Sequence, residues 1–113
     1  MSVAIYNHFE FVGVASPLVA SEQVSNTGEV RQVVVIVPNG VTGTVTITVT
    51  DENGATLFTS GALSGNTKTV FWPYTTGMPF CVSSGADKTC NVVCTFSPAN
   101  VGYQVLVNMF IKA

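Results

Sequence analysis

The chain has 113 residues and a mass of 11.9 kDa, the size of one domain, and it reads as a single domain over residues 1–113. Its apolar fraction of 47% excludes a disordered chain. With 9% charged residues and a net charge of −2 it has no basic face to set against a phosphate backbone, so no nucleic-acid partner is expected. Twenty valines, fourteen threonines and four isoleucines stand against four leucines, a bias toward strands because β-branched side chains fit a pleated surface better than a helical turn.

Period-2 alternation runs through the chain and helical periodicity is nowhere sustained. Asn7 to Ala15 reads as a strand interrupted by Gly13. Ser16 to Gly28, rich in Ser, Asn and Gly, reads as loop or edge strand. Glu29 to Val37 is a strand apolar on both faces, buried on both sides or covered by a partner, and Pro38-Asn39-Gly40 ends it.

Thr44 to Thr50 alternates threonine with Val45, Ile47 and Val49, the pattern of a half-buried antiparallel strand. Asp51-Glu52-Asn53-Gly54 turns it into a partner strand over Ala55 to Thr59. Thr67 to Trp72 follows and is stopped by Pro73. Phe80 to Ser83 is a short strand, Ser84 to Asp87 a turn, and Lys88 to Phe96 a strand. Val101 to Lys112 closes the chain with Tyr103, Val105, Val107, Met109 and Ile111 on one face. About eight strands with turns every 8–12 residues predict an all-β antiparallel sandwich or barrel. Val45, Ile47, Val49, Leu57, Tyr103, Val105 and Val107 are the expected core.

The inventory for catalysis is thin. His8 is the only histidine, the six carboxylates are scattered, and no phosphate-binding glycine loop is present, so no enzyme and no cofactor are expected. Asp51, Glu52 and Asn53 offer one acidic turn without a second carboxylate source, better read as a solvated hairpin tip than a calcium site. Cys81, Cys90 and Cys94 lack the spacing and the fourth ligand of a zinc site, so no metal is expected. Cys90 and Cys94 share a strand face about 13 Å apart, too far for a bridge. Cys81 and Cys90 either face each other across a hairpin or are simply buried hydrophobes.

The opening residues Met1 to His8 have neither a basic nor an apolar leader segment, and the longest aliphatic run, Val33 to Val37, is too short to span a bilayer. Synthesis in the cytoplasm with reduced cysteines and no membrane partner is the expectation. So few charges leave large uncharged areas outside the core, and such areas mark contact sites. The candidates are the stretch Tyr6-Asn7-His8-Phe9 near the start, with Tyr6, His8 and Phe9 as its contact residues, the Ser16–Gly28 segment, and the aromatic corner from Phe71 through Trp72 to Tyr74. Alternation sends Phe71 and Trp72 to opposite faces, so one of them is exposed; core packing with a tyrosine corner, interface anchoring and sugar stacking all remain open for that corner.

The stretch from Gln32 to Phe71 joins a Thr-Val strand, the D-x-x-G turn at Asp51–Gly54, the strand Leu57-Phe58-Thr59-Ser60 and the turn from Ala62 to Asn66. In this, and in the closing strand that ends in Ile111-Lys112, the chain resembles the small β-sandwich virion proteins of tailed bacteriophages that lie beside the major capsid protein. The resemblance implies a jelly-roll or immunoglobulin-like Greek key, attachment to the outside of the shell as a decoration or cement protein, a location in the virion, and no catalytic residues. Partners would be the major capsid protein or other virion proteins, with homo-oligomers as a further option. A tail, head-completion or fibre-base component is the neighbouring reading, and a carbohydrate- or receptor-binding sandwich using Trp72 and Tyr74 the more distant one. Because reduced cysteines are expected, thermal melting with and without reductant should give the same midpoint; a drop on reduction would show that a disulfide carries stability.

Overall fold

The computed structural model describes residues 4–16, 18–73, 75–85 and 89–112. These contain no helix and form nine strands: β1 (Ala4–Val12), β2 (Val19–Gln23), β3 (Gly28–Val37), β4 (Thr44–Thr50), β5 (Thr56–Ser64), β6 (Thr67–Phe71), β7 (Cys81–Val82), β8 (Asn91–Ser97) and β9 (Gln104–Lys112). All pairings are antiparallel. One sheet has the order β1-β9-β3-β6, with β7 paired to the start of β3, and the other has the order β2-β8-β4-β5. The two sheets pack face to face as a sandwich.

Strand order decides the topology. Apart from the two-residue β7, only β4 and β5 follow each other within one sheet; every other connection crosses between sheets. The first strand pairs with the last, from Ala4↔Lys112 to Val12↔Gln104. This is a jelly roll, two Greek keys wound into two sheets, and not the immunoglobulin arrangement, whose first two strands pair in one sheet.

Valine dominates the inner faces because it fills a pleated surface with little rotamer freedom to lose. Val33, Val35 and Val37 of β3 and Val105, Val107, Met109 and Ile111 of β9 face Val45, Ile47 and Val49 of β4 and Val92, Cys94 and Phe96 of β8, all buried. Val34, on the other face of β3, is also buried, because β3 lies inside its sheet between β9 and β6. Two buried asparagines are bonded at both ends of the amide. Asn100 accepts from Thr42 N and donates to the carbonyls of Thr42 and Pro98, pinning the β3–β4 loop to the β8–β9 turn. Asn7 accepts from Ser25 Oγ and donates to Asn26 Oδ1, pinning β1 to the β2–β3 connection.

The β4–β5 hairpin turns where expected. Asp51 Oδ1 accepts from the N–H groups of Asn53 and Ala55 at 2.8 and 2.9 Å, and Gly54 supplies a φ of +84°. The return strand is longer than the expected Ala55–Thr59, and it slips register against β4 twice, between Thr46 and Thr48 and between Val49 and Thr50. At the first slip Gly61 takes a φ of +70° and Ser60 Oγ accepts the Ile47 N–H at 2.9 Å. These bulges break strict alternation. Leu63 and Phe58, five residues apart, both pack against the core, and Leu57 is left exposed.

Leu57 therefore does not belong to the core, contrary to the expectation from alternation. Tyr103 does not either: β9 begins one residue later, and Tyr103 ends the preceding turn with its ring against Gly40. Phe9 is corrected in the opposite sense. It pairs with Val107 and shares the inward face of β1 with Phe11, so it is buried and not a contact residue. The Ser16–Gly28 segment holds the edge strand β2. The short strand expected over Phe80 to Ser83 shrinks to Cys81–Val82, and β8 begins at Asn91 rather than at Lys88, which lies outside the described residues, as do Ala86 and Asp87 of the expected turn.

The bulged register makes opposite predictions for neighbouring residues. Phe58→Ala is expected to lower unfolding stability by about 2 to 3 kcal/mol, and Leu57→Ala to change it by less than about 0.5 kcal/mol, measured by chemical denaturation.

Candidate interaction surfaces

The expected contact residues separate into two places. Tyr6 and His8 are exposed on the outward face of β1, one edge of the first sheet. Phe71 and Trp72 lie at the opposite edge, at the end of β6, with β9 and β3 between. Tyr74 lies outside the described residues.

At the β6 edge, β5 of one sheet and β6 of the other flank an apolar groove of about 440 Å³. Leu57 and Phe58 of β5, Val70 and Phe71 of β6, and Trp72, Pro73 and Met78 of the following turn line it. Phe71 is the inward member of the Phe71–Trp72 pair: its ring meets Phe58 edge-on at 5.3 Å, and Phe58 stacks on Phe80 at 5.4 Å. Trp72 is half exposed and Met78 is 77% exposed, so the rim presents large apolar side chains to solvent. The turn is held by N–H donation from Thr76 to Trp72 O and from Met78 to Pro73 O. Among the described residues no charged side chain lines the groove. Its hydroxyls come from Thr56, Thr59 and Thr76; Thr76 Oγ1 lies on the carbonyls of Trp72 and Pro73, and Thr59 Oγ1 accepts from Gly61 N. The groove can take up an uncharged apolar group and offers little directed hydrogen bonding.

The second place is the outward face of β1 and β9. Tyr6 OH donates to Asn108 Oδ1 at 2.6 Å, and His8 Nδ1 meets the same oxygen. His8 Nε2 lies 3.1 Å from Glu10 Oε1, and Gln104 Nε2 donates to Glu10 Oε2 at 3.0 Å. Both ring nitrogens face acceptors, which suits the imidazolium, and the hydrogen bonds to Asn108 and then Glu10 raise the His8 pKa above 6.5. Tyr6 also packs on Phe110, with ring centroids 5.1 Å apart.

The three cysteines are free thiols, so Cys81 and Cys90 are not bridged. Burial pushes the Cys94 thiol up to about 12, which makes it an inert packing group. Cys90 is buried and its Sγ accepts the Ser83 N–H. Asp51, once weighed for calcium, spends Oδ1 on its own turn, and among the described residues no group of three or more His, Cys, Asp or Glu is placed to hold a metal ion.

Sequence reasoning missed Leu57, Phe58, Val70 and Met78 in the groove, and Asn108, Gln104 and Phe110 beside His8. The even-numbered positions of β9 carried a signal for the second group, since they alternate with its buried residues. The first group had none, because the groove joins strands from different sheets. No protein-family model matches the chain, and no curated protein matches it in sequence.

Proton titration by NMR should place the His8 pKa above 6.5, and Asn108→Ala should lower it. Since the folded value is the higher one, the contribution of His8 to stability is full below pH 6.5 and is lost as pH rises through the folded pKa.

Proposed function

We propose that this protein is a non-enzymatic adhesive component of a bacteriophage virion, a decoration or cement protein that binds the outer shell and stabilises contacts between major capsid subunits. The observation that carries the adhesive reading is the uncharged groove between β5 and β6, rimmed by exposed Trp72 and Met78. A soluble domain leaves an apolar concavity of this kind open where another protein fills it. The virion assignment draws on the resemblance in the Gln32–Phe71 segment and on the scarcity of charge. The jelly roll is compatible with it, since this architecture recurs in viral capsid and lectin domains, but architecture alone does not assign a function.

The mechanism is burial. An apolar side chain of a shell subunit enters the groove, Trp72 closes over it, and many copies on a repetitive lattice reinforce a modest single contact. A carbohydrate-binding reading is the weaker one, because sugar recognition needs convergent polar groups and two of the three groove threonines are engaged within the chain.

Co-sedimentation with purified shells of the parent virus tests the proposal. Binding should persist when salt is raised to about 0.5 M, where the Debye length is roughly 4 Å, because few ion pairs are available to screen. Trp72→Ala and Met78→Lys should each weaken it about tenfold or more. Absence of binding to any virion component would overturn the reading.

A further inference from the structure

The outward face of the first sheet has an order that the groove does not explain. Cross-strand register aligns its side chains in rows over four strands. One row runs Glu10, Leu106, Ile36, Lys68 from β1 through β9 and β3 to β6. The next runs His8, Asn108, Val34, Val70, and the third begins Tyr6, Phe110, Gln32. Along the first row the middle of the face is apolar, with Leu106 and Ile36 partly exposed; the next row sets Asn108 beside buried Val34, and Val70 is 38% exposed at its edge. In the first row a carboxylate stands at one end and an ammonium at the other, with only apolar side chains between. They are three strand spacings apart, about 14 Å, and cannot pair within one chain. Lys68 makes no ion pair among the described residues.

We propose that this face binds a second copy of the same chain, face to face, about a two-fold axis running close to the strand direction between β9 and β3. Such an axis sets β1 over β6 of the second copy and β9 over β3. Glu10 then meets Lys68 of the second copy and Lys68 meets its Glu10, while Leu106 and Ile36 pack on each other twice. A two-fold interface must be complementary to itself, and acid and base at opposite ends of one apolar row meet that requirement. An unrelated partner would impose no such relation between the two ends. Sheets packed face to face cross at about 30°, which tilts the axis about 15° from the strands and leaves the row pairing intact near the centre. Strand spacing and rise give the face roughly 20 by 25 Å, on the order of 500 Å² per copy, at the lower end of specific interfaces, so the dimer is weak and concentration-dependent. Val70 lines the groove and also lies on this face, so shell binding and pairing share the β6 edge.

Sedimentation velocity of the full chain between about 1 and 200 µM tests the proposal, with dissociation constants read from the shift of monomer to dimer. The expected result is a reversible dimer. Glu10→Lys and Lys68→Glu should each weaken it about tenfold or more, since each places two like-charge contacts in the interface, and the double variant should return to within about threefold of the parent. Glu10 and Lys68 are exposed, so the variants should fold, which far-UV circular dichroism and melting verify. A chain monomeric throughout this range, or a dimer whose single variants bind normally, or a double variant as weak as the singles, would overturn the proposal. None of these outcomes depends on shells, so failure here is distinct from failure of the adhesive reading.

Discussion

The ladder between β1 and β9 is what the rest of the molecule depends on. It joins residues about a hundred positions apart and places the last strand between the first and third. Four residues of β9, Val105, Val107, Met109 and Ile111, are completely buried, and burial of a side chain of this size is worth about 1.5 to 3 kcal/mol. Without β9 the first sheet would separate into β1 on one side and β3 with β6 on the other. The same strand supplies Leu106, Asn108 and Phe110 to the outward face, so core and surface are fixed by one register. A slip of one residue would exchange them.

Both sheets carry register slips: one in the first, between Val30 and Gln32 of β3 against β9, and two in the second. In the second sheet the edge strand β5 absorbs both slips against β4, and they let Phe58 and Leu63 both reach the core. They also turn Leu57 outward to line the groove. An edge strand bears such a change cheaply, because only one neighbour must adapt. The groove lies where the chain passes from one sheet to the other, with Phe58 of β5 meeting Phe71 of β6 at its floor.

Scarce charge shapes both surfaces. Of the charged groups, Glu10 lies beside His8 and Glu29 beside Arg31, so the outward face of the first sheet carries its ion pairs toward its margins. The groove is lined, among the described residues, by uncharged side chains. A surface built this way adheres through shape and desolvation, and it gains direction from the few charges that remain.

Alternation in the sequence was enough to establish an all-β antiparallel fold, the Thr44–Thr50 strand, the Asp51–Gly54 turn and the inward valines, because a side chain's face follows from its position in a strand and from nothing farther away. Tyr6 and His8 were expected at the surface as part of one N-terminal stretch, and they are exposed because they alternate with buried Asn7 and Phe9. Phe9 was misplaced by treating neighbours as a patch when alternate residues point to opposite sides. Leu57 and Tyr103 were misplaced because a bulge and a strand boundary reset the alternation, and both depend on the partner strand. Whether the sandwich is a jelly roll, that Phe71 faces in and Trp72 out, that β5 and β6 flank a groove, and that Glu10 and Lys68 end one row were decided only by tertiary structure. Each is a relation between strands distant in sequence, and period-2 patterning does not encode which strands become neighbours.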